Sequence, residues 1–156
     1  MMEVKTRVVP PAVLIEEYRQ LLKEGAEGLP LLISGNSMSP FLIHGRDTVY
    51  LSPLSRPPHR GDALLYQRQN GSYVFHRVYR VTDEGLTMVG DAQTFLEHGI
   101  REDQIIAVMT AATRKGKNIL PGSFWWVFFE KIWIRMLPLR RSAQGIYSLY
   151  SRLVRK

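Results

Sequence analysis

The sequence predicts a mainly β protein that begins with a helix and ends with amphipathic helices. Between residues 29 and 112, short β-prone segments alternate with turn residues such as Gly, Pro, Asn and Asp, a pattern typical of antiparallel strands. Helical periodicity precedes this region and follows it. We therefore divide the chain into an N-terminal helical segment at 1–28, a β domain at 29–120 and a basic amphipathic helical tail at 121–156. The predicted strand segments are LPLLI, DTVYL, GDALLYQ, SYVFHRVYRV, LTMVG and IIAVMTAA.

The N-terminal helix is predicted at PAVLIEEYRQLLKE, residues 11–24. Pro10 and Pro11 favour a helix start, and Gly25 favours a helix end. Apolar residues at spacings of three, four and seven indicate that one face of this helix is buried. The residues of that stripe are Val13, Leu14, Tyr18, Leu21 and Leu22.

The tail contains two amphipathic segments with a break at Pro138. In the first, FWWVFFEKIWIRMLPL, the charged residues Glu130, Lys131 and Arg135 occupy one arc of roughly 140° and the rest is apolar. The second, RRSAQGIYSLYSRLVRK, carries an apolar stripe with Arg152, Arg155 and Lys156 available to solvent or phosphate. The residues of that stripe are Ile146, Tyr147, Leu149, Tyr150, Leu153 and Val154.

Most of the net charge of +7 belongs to this tail. Residues 1–120 hold 14 Lys/Arg and 13 Asp/Glu, whereas residues 121–156 hold 7 and 1. A basic amphipathic segment too short and too charged to span a membrane is typical of one that lies on its surface. We predict a membrane surface as a partner of residues 121–156, with packing on the β domain or on a second copy as the alternative. We do not expect nucleic-acid binding, because no recognisable nucleic-acid-reading element accompanies the basic residues.

Several classes of function are excluded by composition. The chain has no cysteine, which rules out disulfides and thiolate metal sites. His44, His59 and His98 have no partner at metal-ligand spacing, so we predict neither a metal nor a cofactor. The first 20 residues lack the apolar core of a signal peptide, so we expect a cytoplasmic protein that associates peripherally with a membrane.

Residues 72–93 predict a β-hairpin that turns around Asp-Glu-Gly. With Glu84 and Gly85 as a two-residue loop, Asp91 is a diagonal neighbour of His76 on the same face, where its carboxylate can approach the imidazole. A three-residue loop places Asp91 on the opposite face, because one step of register turns every side chain over. The contact between Asp91 and His76 therefore depends on the turn.

Two residue types with catalytic chemistry lie near these strands. His76 has Val74 and Val78 on its own strand face, so partial burial is expected to keep its imidazole neutral near pH 7, as a general base requires. Ser37, in the turn GNSMSP, is a candidate nucleophile whose own N–H can help to bind an oxyanion. Spacing leaves open whether the two are in contact. A turn cap for Ser37 and a core position for His76 are the ordinary alternatives.

Four segments, in this order, resemble the motifs of type I signal peptidases. GNSMSPFL resembles their Ser-Met-x-Pro nucleophile box, RGDALLYQ their following Gly-Asp strand, YVFHRVYRV the segment of the general base, and VGDAQ the Gly-Asp box near the end of the catalytic core. A histidine followed by Arg77 is similar to the endoplasmic-reticulum and archaeal-type subgroup. Bacterial members, and the self-cleaving LexA-like SOS and phage repressors of the same β fold, use lysine. The resemblance implies a signal-peptidase/LexA-like antiparallel β fold over about residues 31–112.

The resemblance also implies roles for individual residues. Ser37 would be the acylated nucleophile, His76 the general base and Asp91 the carboxylate that orients it. Met38 would line the substrate groove, with a place in the core as its alternative. The substrate-binding residues expected beside the nucleophile are Gly35, Asn36 and Met38.

The sequence departs from the family pattern at three points. Gly35 stands where some bacterial members have a serine hydroxyl in the oxyanion hole, so only backbone donors are expected there. Ala92 follows Asp91 where the family usually has Asn. No membrane anchor precedes Ser37, so we expect the chain not to process ordinary secreted preproteins.

The sequence therefore predicts a serine endopeptidase that cleaves a peptide or leader bond after small residues, at a membrane surface, with a Ser-His dyad or a Ser-His-Asp triad. The alternative is a catalytically inactive module that uses the same fold to bind a peptide or a lipid. The altered Gly-Asp-Ala box and the uneven charge favour this alternative.

Overall fold

The computed structural model describes residues 10–154, without the side chains of Tyr147, Ser148 and Ser151. The predictions made for residues 1–9, for the side chain of Tyr147 and for Arg155 and Lys156 lie outside this part of the chain. The described chain is mainly an antiparallel β sheet with an N-terminal helix and a C-terminal helix, as predicted.

Helix α1 precedes the strands in the sequence, and α2 and α3 follow them. The helices are α1 (Pro11–Lys23), α2 (Phe124–Val127) and α3 (Leu137–Val154). The strands are β1 (Leu29–Leu32), β2 (Thr48–Ser52), β3 (Ala63–Gln67), β4 (Tyr73–Thr82), β5 (Gly85–Val89), β6 (Glu97–Ile100), β7 (Ile105–Arg114) and β8 (Lys117–Ile119). A 3-10 turn at Glu102–Gln104 precedes β7, and a π-helical turn at Phe128–Ile132 and a 3-10 turn at Trp133–Met136 join α2 to α3.

The strands form one sheet in the order β1-β2-β7-β3-β4-β5-β6, and β8 pairs with β7. Each of the six predicted strand segments forms a strand. The sequence analysis missed β6 and β8, which are short and whose sequences, EHGI and KNI, lack the alternation of apolar and polar residues on which strand prediction depends.

The N-terminal helix is confirmed, but its buried face differs from the prediction. Ile15 and Leu22 are the buried residues of α1, whereas Val13 and Leu21 are exposed. Ile15 and Leu22 are seven residues apart and therefore share a face, rotated by about one residue from the predicted stripe.

One hydrophobic core is shared by all three regions of the chain. It combines Ile15 and Leu22 of α1, Met38 and Leu42 of the loop after β1, and the buried faces of β2, β3 and β7. Trp126 and Phe129 of the tail complete it. The first tail segment thus packs on the β domain, which was the alternative considered for it, whereas α3 is exposed over most of its length from Pro138 onward.

The β4–β5 hairpin differs from the prediction in two ways. Thr82 pairs with Gly85, so the two-residue loop is Asp83 and Glu84. Compared with the predicted loop of Glu84 and Gly85, this loop moves the strand pairing by two residues. A change of two residues by itself keeps the side chains of β5 on their predicted faces. A β-bulge between Val78 and Arg80 then moves the register by one further residue and turns the later side chains over.

Candidate active site

Ser37 lies in the loop between β1 and β2, in a turn whose backbone is held on both sides. The N–H of Gly35 donates to Nδ1 of His44 at 2.9 Å, and the N–H of Ser39 donates to the carbonyl of Asn36 at 3.1 Å. Gly35 has a φ of 86°, a left-handed conformation that favours glycine. The backbone around Ser37 is therefore fixed without use of its side chain.

The hydroxyl of Ser37 is unengaged. It forms no hydrogen bond with any residue of the range 10–154, and within that range the Ser37 N–H has no acceptor. A serine that caps a turn uses its hydroxyl to bind nearby backbone. The capping role considered from the sequence is therefore not the one that Ser37 adopts. Its side chain is half-buried, which leaves the oxygen reachable.

Apolar residues directly after Ser37 anchor its loop in the core. Met38, Phe41 and Leu42 are buried, and the ring of Phe41 lies 4.7 Å from that of Phe129 between centroids. Burial of three large side chains within five residues holds the loop against the sheet, since each contributes about 1.5–3 kcal/mol relative to exposure.

A second turn, at residues 90–93 after β5, supports the Ser37 backbone. The N–H of Ala92 donates to the Ser37 carbonyl at 2.9 Å. Gly90 packs so closely here that a Cβ would lie 2.5 Å from the same carbonyl oxygen and 2.9 Å from Oε1 of Gln93. The N–H of Gly90 donates to that Oε1 at 3.1 Å. Only glycine fits at position 90 without moving Ser37 or Gln93.

His76 lies on β4, opposite Leu64 of β3, and is 4% exposed. Its Nδ1 lies 3.4 Å from the hydroxyl oxygen of Tyr66. Nε2 has no hydrogen-bond partner among the described residues, and it is not one of the fully enclosed unpaired nitrogens, which belong to Arg19 and Arg140. The second ring nitrogen is therefore available to a substrate or to Ser37.

A chain of hydrogen bonds continues from Tyr66 to charged residues. The Tyr66 hydroxyl donates to Oε2 of Glu97 at 2.7 Å, and Arg68 donates to both carboxylate oxygens of Glu97 at 2.8 and 2.9 Å. Because Tyr66 gives its proton to Glu97, its oxygen can only accept from His76. This assigns the hydrogen of the neutral imidazole to Nδ1 and leaves Nε2 as the basic nitrogen.

The electrostatics of this cluster agree with that assignment. Burial lowers the pKa of His76 to about 4, although the negative charge of Glu97 raises it in part. The hydrogen bonds from Arg68 lower the pKa of Glu97, and burial, together with Glu97, raises the pKa of Tyr66. Near pH 7 the cluster therefore holds a neutral imidazole, a protonated phenol and an ionised carboxylate.

Ser37 and His76 line the same cleft, which has a volume of about 270 Å³. The fold thus brings the two residues to one cleft, and within the described chain no hydrogen bond joins them. Gly35 and Met38 also line the cleft, and Met38 belongs to the core as well. Its core position is therefore confirmed, and its contact with a substrate stays a prediction. Asn36 is exposed and lies outside the lining.

The predicted contact between Asp91 and His76 is wrong. Both carboxylate oxygens of Asp91 accept from the guanidinium of Arg77, at 3.0 Å each, and both side chains are buried. The bulge in the hairpin places Asp91 on the face of Arg77 rather than on that of His76. Arg77 also donates to the carbonyl of Gly61 at 2.8 Å, so the ion pair joins β4 to the turns on either side of it.

Three residues of the site were missed by the sequence analysis: Tyr66, Arg68 and Glu97. Tyr66 could have been found, because it lies two residues from Leu64 on a predicted strand and therefore shares the face of His76. Glu97 gave no such signal, because it lies on β6, which was not predicted. Arg68 lies just after β3, and it is its ion pair with Glu97 that connects it to the site.

The side chains of two of the three remaining histidines have local partners. His44 accepts from Gly35, and Nδ1 of His98 lies 3.1 Å from the hydroxyl of Thr87. No group of three or more metal-ligating side chains occurs within residues 10–154.

No known protein family, curated protein or solved structure matches this chain. Over residues 10–154, no helix combines the length and the apolar character needed to cross a lipid bilayer.

Proposed function

We propose that this protein is a serine endopeptidase in which Ser37 is the nucleophile and His76 the general base. The observation that carries the proposal is that the unengaged hydroxyl of Ser37 and the buried, neutral imidazole of His76 line one cleft. The order of the four sequence motifs supports a signal-peptidase/LexA-like fold and the same two residues. The antiparallel sheet is compatible with that fold.

The chemistry is acyl transfer in two steps. Oγ of Ser37 attacks the peptide carbonyl while Nε2 of His76 takes its proton, and the unpaired N–H of Ser37 donates to the oxyanion that forms. The imidazolium then gives the proton to the leaving amine as the peptide C–N bond breaks. A water molecule, deprotonated by Nε2, hydrolyses the acyl ester and restores the Ser37 hydroxyl.

In this mechanism the carboxylate that supports the base is Glu97, not Asp91. Tyr66 connects Glu97 to Nδ1 of His76, and the negative charge of Glu97 favours the imidazolium that forms in each step. Asp91 has a structural role through Arg77.

The cleft is suited to an extended peptide. Among residues 10–154, no strand pairs with the outer edge of β1, and β5 pairs with β4 only from Arg77 onward, so the first half of β4 also has an edge without a strand partner there. An apolar groove of about 800 Å³ runs between these strands and α1, and it shares five lining residues with the cleft: Ile33, Ser34, Tyr73, Val74 and Phe75. A peptide can add to such edges through main-chain hydrogen bonds. By the resemblance, the bond cleaved follows a small residue.

We further propose that the protein associates peripherally with an anionic membrane through its tail. Six apolar side chains of α3 are between 60% and 70% exposed and share an arc of roughly 140°. Arg152 lies beside this stripe, and the basic charge of the tail complements anionic lipid but would repel a second copy of itself. The stripe consists of Leu139, Ile146, Leu149, Tyr150, Leu153 and Val154. Candidate substrates are leader peptides of small secreted or modified peptides, or a membrane-associated partner.

The test of the peptidase is mass spectrometry of a mixed peptide library incubated with the protein and anionic vesicles. Ser37→Ala and His76→Gln are run in parallel with Ser39→Ala, a control from the same loop. Cleavage after small residues that is lost in the first two variants and kept in the third is the expected result. Equal cleavage by Ser37→Ala and the parent would refute the mechanism.

The membrane proposal has a separate test. Ile146→Asp combined with Leu153→Asp should reduce co-sedimentation with phosphatidylserine-containing vesicles by roughly tenfold or more, because two apolar side chains leave the lipid. Val81→Asp is the control, since Val81 is an exposed apolar residue on β4, away from the tail. Undiminished binding of the double variant would exclude the stripe as the lipid contact.

A second candidate is a catalytically inactive module that binds peptide in the groove. One observation favours it: within the described chain, Ser37 and His76 share a cleft without a hydrogen bond between them. Such contacts often tighten only when substrate binds. Peptide binding without cleavage in the library experiment would identify this function.

A further inference from the structure

The C-terminal helix reaches back to the turn that supports the nucleophile. Nη1 of Arg140 donates to the carbonyl of Asp91 at 2.7 Å and to that of Gln93 at 3.1 Å. Nε1 of Trp133 also donates to the Asp91 carbonyl, at 2.8 Å. One step further along α3, Nε of Arg141 donates to the carbonyl of Thr94 at 2.7 Å. Two backbone carbonyls of this turn, and that of Thr94 directly after it, are therefore held from the tail.

The same turn is in direct contact with Ser37. Ala92, between the two carbonyls that Arg140 binds, donates its N–H to the Ser37 carbonyl. Gln93 lines the cleft with Ser37 and His76. A displacement of this turn would thus move both the backbone of the nucleophile and one wall of the cleft.

Arg140 occupies this position at an energetic cost. Its guanidinium is partly buried over the ring of Trp133, at 5.0 Å from the centroid, and burial lowers its pKa. Its Nε is fully enclosed and has no hydrogen-bond partner among the described residues. An enclosed unpaired donor is unfavourable by itself. The contacts that offset this cost are the carbonyls of the turn, which act together with the stacking on Trp133.

We propose that Arg140 is a positioning residue of the peptidase: by holding the carbonyls of Asp91 and Gln93, it fixes Ala92 and, through it, the backbone of Ser37 opposite His76. The inference rests on the proposed function and adds to it a residue from the lipid-facing helix. Arg140 acts through the turn and touches neither the substrate nor the reacting atoms.

The planar guanidinium is suited to this task. Nη1 donates to both carbonyl oxygens of the turn, Nη2 donates to the carbonyl of Trp133 at 3.4 Å, and the face stacks on the indole of Trp133. A lysine ammonium can still donate to the carbonyls of the turn, but it has no planar face to stack on the indole. Arg140→Lys should therefore be intermediate between the parent and Arg140→Met.

The experiment measures kcat and KM of the full chain on the best-cleaved peptide of the library, with anionic vesicles present. Arg140→Met should lower kcat by roughly tenfold to a hundredfold with KM changed less than about threefold, since a shift of about 1 Å in a nucleophile costs on this order. Arg140→Lys should recover part of kcat. The control is Arg135→Met, which removes the same charge from the tail. Among the described residues the Arg135 side chain donates only to the carbonyl of Lys131, so this variant should behave like the parent.

Melting temperatures of all variants separate positioning from folding. A parent-like kcat for folded Arg140→Met overturns the inference, as does a loss of kcat that Arg140→Lys shares in full. If Arg140→Met does not fold, the inference is tested with Arg140→Lys alone: a partly lowered kcat at an unchanged melting temperature supports positioning, and a parent-like kcat or a complete loss of kcat refutes it. Cleavage by Ser37→Ala at the parent rate would instead refute the proposed function itself, independently of Arg140.

Discussion

Nδ1 of His76 lies 3.4 Å from the hydroxyl oxygen of Tyr66, and that hydroxyl donates its own proton to Glu97. The direction of this chain determines which nitrogen of His76 is basic. It also means that two residues outside the recognisable motifs set the tautomer and the charge balance of the proposed base.

The pH dependence of cleavage should have its acidic limb unusually low. Because burial lowers the pKa of His76 to about 4, the imidazole stays neutral and basic down to about pH 5. We expect kcat/KM to be level from pH 8 to about pH 5 and to fall as the imidazole is protonated below that. A histidine with an ordinary pKa of about 6.5 would lose activity below pH 7. Initial rates across this range, with circular dichroism as the control for folding, test the prediction, and a midpoint near pH 6.5 would contradict it.

Removal of the Tyr66 hydroxyl should slow the chemical step. In Tyr66→Phe, Nδ1 of His76 loses its acceptor, so the imidazole is no longer held in one tautomer, and we expect kcat to fall roughly tenfold or more. Tyr50→Phe is the matched control, because its hydroxyl contacts Thr113 at 3.1 Å, away from the cleft. Steady-state kinetics of both variants test this prediction. An equal fall in kcat in the two variants would show that Tyr66 acts only on stability.

Asp91→Asn should reduce stability. It leaves the buried guanidinium of Arg77 without its counter-charge, which costs about 3–5 kcal/mol in comparable buried pairs. Urea unfolding provides the free energy of unfolding. Asp103→Asn, from the exposed pair with Arg101, should show no measurable change. Unchanged stability with a displaced pH profile would instead restore the orienting role that the sequence suggested for Asp91.

Gly90→Ala tests the contact between the two turns. The added Cβ would lie 2.5 Å from the Ser37 carbonyl oxygen, so the nucleophile loop or Gln93 must move. We expect a loss of about 1–3 kcal/mol in stability and a fall in kcat. Gly145→Ala is the control, since a Cβ there has no atom within 4 Å. Parent-like turnover of Gly90→Ala would show that Ser37 tolerates displacement of its support.

The sequence was sufficient to predict elements whose signal is local. Six strands and α1 were predicted because apolar periodicity and turn residues are properties of a few consecutive positions. Burial of His76 followed from Val74 and Val78 on its own strand. The position of Ser37 in an open turn followed from Gly35 and the Pro after Ser39.

The parts that could not be predicted depend on non-local geometry. A single β-bulge at Tyr79 places the Asp91 side chain on the face of Arg77 instead of that of His76. No pattern in the hairpin sequence predicts this bulge. Glu97 reaches Tyr66 from a strand that has no apolar alternation. The contact of Arg140 with the Asp91 carbonyl joins residues that are distant in sequence, and only the packed tail brings them together.

The docked tail also has a consequence for the order of events during synthesis. The ribosome makes Ser37, His76 and the 90–94 turn well before it makes Trp133 and Arg140, which hold that turn from outside. For the seconds needed to add the intervening residues, the nascent chain has its nucleophile and its base but lacks their support. Under the proposed function, the turn behind Ser37 therefore gains its outer support only once the tail has been synthesised.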